Sequence, residues 1–112
     1  MIKVPWDLEE AIILVDVFFQ NSPSSSLSDD NLDALKYMLW RRAATQGISH
    51  DEKYRNTSGL KMQLECIRYV VTEGQIGMSN AGRVFYEAVR LYNENRDKFM
   101  EMVRNFYQKY QE

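Results

Sequence analysis

The chain has 112 residues, 45% of them hydrophobic, which suffices for one buried core, and its single cysteine excludes an intrachain disulfide and fits a reducing cytoplasm. The formal charge of -2 hides an asymmetry: residues 1–33 carry one lysine against seven acids, and residues 34–112 carry thirteen bases against nine acids. That division leaves the middle of the chain as the one stretch suited to an anion.

The N-terminus MIKVPWDLEE has no basic run ahead of a long apolar stretch, and AIILVDVFF is nine residues with an aspartate inside it. Neither secretion nor membrane insertion is expected, so the protein is placed in the cytoplasm. A first helix is expected from Pro5 or Trp6 to Gln20, with Asp7, Glu9 and Glu10 at its positive end. Leu8, Ala11, Ile12, Val15, Phe18 and Phe19 make one apolar face, and Ile13, Leu14 and Val17 fill most of the rest, so this helix is expected at the centre of the fold. Asp16 interrupts the run and needs a partner. Arg55 and Arg68 are the candidates, and an Asp16–Arg55 structural pair is the expectation.

NSPSSSLSDD reads as a loop whose Ser28 caps a second helix over about residues 29–46, burying Leu32, Leu35, Leu39 and Ala43 and stopping at Gly47. After ISHDEKYRN, Asn56 or Thr57 is expected to cap a third helix running to about Glu73. Its polar stripe of Lys61, Glu65, Arg68 and Thr72 is narrow, and the apolar residues on the other sides, Met62 among them, predict that most of it is buried. Ser79 or Asn80 opens a fourth helix with Val84, Phe85, Ala88, Val89 and Leu91 inward. A fifth from about Arg96 carries Phe99, Met102, Val103, Phe106 and Tyr110 at spacings of three and four. Alternating strand patterns bounded by hairpin turns are lacking, so the expected fold is all-α, a single compact domain of about five helices over residues 1–112.

One histidine, His50, and one cysteine, Cys66, give no metal cluster of recognisable spacing, and neither a metal nor another cofactor is expected. Cys66 sits inside an apolar helix where a thiolate is disfavoured, so a Cys66–His50 nucleophilic pair is rejected. SDDNLD gathers acids where a helix begins and lacks the glycine and closing glutamate of a calcium loop. No phosphate-loop pattern is present either, so catalysis by this chain alone is not expected.

Trp6 with Glu9-Glu10, Asp16 in its apolar run, Tyr54-Arg55-Asn56, Gly59-Leu60, Met62, Leu64, and Gly77-Met78-Ser79-Asn80 before a helix with Phe85 together resemble the N-terminal helical domain of bacterial restriction-like proteins. In that group the domain often precedes a His-Asn-His (HNH) nuclease of the McrA type, and the resemblance spans roughly residues 5–103. It implies a non-catalytic recognition module of a DNA-associated or genome-defence protein, the N-terminal part of a longer chain whose nuclease domain lies elsewhere.

The residues offer that reading a mechanism. The start of the third helix presents backbone N–H groups at Ser58 and Gly59, flanked by Lys53, Arg55 and Lys61, a combination suited to phosphate. Arg41, Arg42 and Arg68 extend the patch, which makes weak DNA-backbone binding the first functional expectation. The alternative is a helical protein–protein adaptor without nucleic-acid contact, joining another protein, its own nuclease domain or a second copy of itself. Trp40, Tyr107 and Tyr110 beside Met100 or Met102 would then be the anchors.

Overall fold

A capping box begins the first helix. The Asp7 carboxylate accepts from the Glu10 N–H at 3.0 Å, and the Glu10 carboxylate accepts from the Asp7 N–H at 3.3 Å. In the computed structural model, which describes residues 5–21, 29–79 and 81–111, α1 therefore spans Leu8–Asn21, starting later than Pro5 or Trp6 because Asp7 supplies the cap. The other helices are α2 (Asp29–Thr45), α3 (Thr57–Val71), α4 (Arg83–Glu94) and α5 (Arg96–Tyr110). Among the described residues there is no strand, and the fold is one all-α globule of five helices with a radius of gyration of 13.5 Å. The serine-rich loop and the expected Ser28 cap lie outside the described residues.

α1 is the central element. It packs against α3, α4 and α5, while α2 closes the bundle against α3 and α5. Every residue from Glu10 to Asp16 is buried, with Ala11, Ile13, Leu14 and Val15 wholly so. The near-continuous apolar run thus serves a helix with neighbours on several sides.

α2 ends as its sequence suggests. Gly47 takes a left-handed φ of 70°, and the Ile48 N–H bonds back to the Ala43 carbonyl at 3.0 Å. α3 begins at the expected cap, where the Asn56 side chain accepts from the Gly59 N–H at 2.8 Å.

The expectation that most of α3 is buried fails. Leu60, Cys66 and Ile67 are its buried residues, while Met62 is 48% exposed. α3 meets α1, α2 and α4 on one side, and along its other side runs the turn of residues 75–78, where the Met78 N–H bonds to the Glu65 carbonyl at 3.2 Å.

α4 opens at Gly82, a cap without a side-chain bond, rather than at Ser79; Asn80 lies outside the described residues. Asn95 breaks the chain between α4 and α5, and its side chain caps α5 through the Lys98 N–H at 3.2 Å. Phe85, Ala88 and Val89 from α4 join Phe99, Val103, Phe106 and Tyr110 from α5 in the core against α1.

Candidate functional site

Arg55 lies at the junction of three parts of the fold. Its Nε donates to Glu10 Oε2 at 2.8 Å, and one terminal nitrogen donates to Glu10 Oε1 at 3.0 Å and to the Pro5 carbonyl at 3.2 Å. The guanidinium lies over the Trp6 ring at 3.8 Å and the Tyr54 ring at 4.5 Å. Both members of the ion pair are almost fully buried, with side chains 7% and 3% exposed. Arg55 also adopts φ 48°, a left-handed conformation that costs a residue with a Cβ about 1–2 kcal/mol. The turn around it holds that conformation: the Tyr54 N–H bonds to the Asp51 carbonyl, the Asn56 N–H to the Lys53 carbonyl, and the Trp40 indole N–H to the Tyr54 carbonyl at 2.6 Å.

The expected Asp16–Arg55 pair is corrected by this geometry: Arg55 pairs with Glu10. Asp16 lies six residues further along α1, about 9 Å up the axis and rotated well away from the Glu10 side. Asp16 instead accepts from the Gln20 amide at 2.6 Å, one turn on along the same helix. Burial pushes its carboxyl above the ordinary 3.8, and the Gln20 bond only partly offsets that effect.

The residues assigned to a phosphate site divide into two groups. Arg55 is committed to Glu10. Arg42 is buried and held by Asp7 at 2.7 Å and Glu9 at 3.2 Å; burial acts to lower its pKa, but the two carboxylates outweigh that and hold it up. The Arg41 Nε donates to the Tyr110 carbonyl at the end of α5, and the Gly59 N–H is taken by Asn56. These four are therefore engaged within the chain. Lys53, Ser58 and Lys61 are exposed around the start of α3, and Arg68 is half-buried two turns on beside Glu65 at 3.5 Å. Asp51 and Glu52 are exposed next to Lys53, so the local surface carries both signs.

His50 stacks on Tyr54 at 4.7 Å and leans on Trp40 at 5.0 Å, and its Nδ1 is 2.9 Å from the Asp51 carbonyl. Cys66 is buried, and burial followed by the Glu65 charge pushes its thiol pKa up, which disfavours the reactive thiolate. Among the described residues, no group of three or more histidine, cysteine or acidic side chains is arranged to hold a metal ion.

The apolar anchors expected for an adaptor are also redistributed. Tyr110 is buried, and Trp40, Met100, Met102 and Tyr107 are partly buried, the last three against the core. The exposed large apolar side chains include Ile76 (56%), Met62 (48%) and Met78 (43%). Met62 stands on α3, and Ile76 and Met78 stand on the turn packed against it. Met62 and Glu65 are one turn apart on α3, Met78 is bonded to the Glu65 carbonyl, and the Ile76 N–H bonds to Thr72 Oγ1 at 3.1 Å. Gly77 presses between them, where a Cβ would come within 2.4 Å of the Glu65 carbonyl oxygen and 2.7 Å of the Tyr69 nitrogen. The sequence held one signal of this surface: two large apolar residues inside the otherwise polar, glycine-punctuated turn GQIGMSN.

Comparison with known protein families, curated proteins and solved structures finds no match to this chain.

Proposed function

We propose that this chain is a non-catalytic helical interaction module that docks a protein partner through the outer side of α3 and the turn after it. The observation that carries this reading is the exposure of the apolar side chains Met62 on α3 and Met78 and Ile76 on the turn after it, a turn held by the Met78 N–H bond to the Glu65 carbonyl and the Ile76 N–H bond to Thr72 Oγ1. Exposed apolar side chains that sit together on an ordered surface mark interaction sites, and methionine adapts well to a partner's shape. A stacked His50 and a buried Cys66 support the non-catalytic part of the reading. The test is a photo-crosslinking amino acid at position 78, with one at the exposed position 90 as control, in the native host. Crosslinks to a protein specific to position 78 are expected, and their absence refutes the reading.

Lys53, Ser58 and Lys61, exposed around the start of α3, favour a second reading, the DNA-backbone contact expected from the basic residues around this helix start. Fluorescence anisotropy at low salt distinguishes it. Binding through these groups should weaken steeply with salt, and Lys61→Glu should lower the salt slope by about one. Absence of association with single- or double-stranded DNA removes it.

A further inference from the structure

Asp16 needs a positive partner, and the chain gives it a neutral one. The residue is 4% exposed, its carboxylate is met by the Gln20 amide at 2.6 Å, and among the described residues no basic side chain forms an ion pair with it. A buried carboxylate so placed retains unmet capacity for a cation. Gln20 is exposed and also lines an open groove of about 550 Å³ between α1 and α5, whose other lining residues are Arg104, Tyr107, Gln108 and Gln111. Those four recur at i, i+3, i+4 and i+7 of α5 and so share one face, about 10 Å long. Tyr107 feels the acid: burial, followed by the Asp16 charge, pushes its hydroxyl pKa above the ordinary 10.0. Arg104, one turn before Tyr107, is exposed and among the described residues takes part in no ion pair. A buried acid without a base and an exposed base without an acid thus border one groove without meeting.

We propose that this groove binds a small aminocarboxylate, with the ligand's ammonium replacing the Gln20 amide on Asp16 and its carboxylate held by Arg104. The Gln20 nitrogen marks the place of the cation, because it already occupies a donor position on the carboxylate and belongs to an exposed side chain that can swing aside. Exchanging that neutral donor for an ammonium makes a charge-assisted bond, roughly twice as strong. Gln108 and Gln111 offer amide donors and acceptors to the rest of the ligand, and Tyr107 supplies an aromatic ring near the cation. Ligands of one sign fit less well: an alkylammonium meets Arg104 as a like charge, and a plain anion leaves Asp16 unmet. The site is built on α1 and α5, away from the outer side of α3, and does not depend on the docking reading.

Proton–nitrogen NMR titration of the chain with glycine, β-alanine and γ-aminobutyrate tests this, with acetate and ethylammonium as controls that carry one charge each. At least one of the three aminocarboxylates should give saturable shifts in the millimolar range at the Gln20 side-chain amide and at the backbone amides of residues 104–111. Asp16→Asn and Arg104→Gln should each weaken that binding about tenfold, since each removes a charged hydrogen-bonding partner of the ligand, and the two controls should bind more weakly by a similar factor. Arg104 is exposed and asparagine at position 16 keeps an oxygen for Gln20, so both variants should remain folded, which thermal melts check. The absence of saturable shifts with all three aminocarboxylates overturns the proposal. So does unchanged affinity in either variant, or a control that binds as tightly as the aminocarboxylates, which would reduce the site to a contact for a single charge.

Discussion

Removing the Arg55 side chain should be among the most damaging single changes in this fold. Arg55→Ala leaves the Glu10 carboxylate at 3% exposure without its bidentate partner, and stranding one member of a buried ion pair costs about 3–5 kcal/mol. It also deletes the stacking on Trp6 at 3.8 Å, about 1–2 kcal/mol for a desolvated cation over an aromatic ring, and relieves none of the strain at φ 48° because alanine also carries a Cβ. Against a total stability of about 5–15 kcal/mol, such a loss brings the domain near its unfolding limit at ordinary temperature. Urea denaturation at neutral pH is the assay, with Glu10→Gln as the second arm of a double-mutant cycle. Glutamine retains an oxygen for the Asp7 N–H, so that variant tests the ion pair while sparing the capping box. The coupling between the two substitutions should exceed about 1.5 kcal/mol, whereas Asp16→Asn with Arg55→Ala should be additive within about 0.5 kcal/mol. A loss below about 1 kcal/mol for Arg55→Ala, or a coupling that appears with Asp16 and not with Glu10, would refute the clasp.

Asp16→Asn should stabilise the domain at pH 7. The folded carboxyl pKa is raised above 3.8 by burial, so the native state binds the proton more tightly and loses stability as pH rises through the interval between the unfolded and folded values; the advantage of asparagine, read as the difference between urea midpoints, should vanish as the pH falls below that interval, and a less stable variant at pH 7 would contradict the assignment. Ile67→Ala should cost about 2–5 kcal/mol, while Met62→Ala on the same helix should stay within about 0.5 kcal/mol, because one side chain is fully buried and the other is 48% exposed. Equal losses would mean that α3 is buried on both sides. Gly77→Ala should cost more than about 1 kcal/mol, since φ is 108° and the added Cβ meets the α3 backbone; hydrogen exchange at the Met78 amide, which bonds to Glu65, should accelerate, and an unchanged rate would argue against the close seating of the turn.

The helices were legible because their signals are local. The Asn56 cap and the glycine stop at Gly47 depend on chemistry within a few residues, and the apolar run of α1 announced a central helix through its lack of any polar face wider than a stripe. The start of α1 was misplaced at Pro5 or Trp6, although the Asp7-x-x-Glu10 spacing carries the capping box that sets it; the same Glu10 also serves Arg55 across 45 residues, which no local pattern contains. The partner of Asp16 illustrates the opposite difficulty. Packing α1 against α3 brings an arginine to α1, but which carboxylate it meets depends on the rotation of α1 about its axis, and the sequence states that rotation only through burial on all sides. The outer side of α3 was hidden for a related reason: Met62 is apolar like its buried neighbours, and only the seating of the 75–78 turn shows that it faces outward.

The charge asymmetry of the chain has a structural meaning that favours an internal use of its basic residues. The acid-rich first third places Asp7 at the cap and Glu9 and Glu10 in the first turn of α1, where the helix dipole already favours negative charge. Those carboxylates then draw in Arg42 from the end of α2 and Arg55 from the loop before α3. A segment of net negative charge followed by one of net positive charge is thus the linear trace of helices neutralising one another in space. Two arginines of the basic segment are spent as buried clamps on α1. Lys61, Glu65 and Arg68 on α3 and Glu73 just after it mix both signs, with Arg68 beside Glu65 at 3.5 Å. A polyanion gains little from mixed signs, because each acid offsets a neighbouring base within a Debye length of about 8–10 Å. A protein surface of complementary order gains from every pair, which is why the balance of charge on this face, more than its total, directs the search for a partner towards protein.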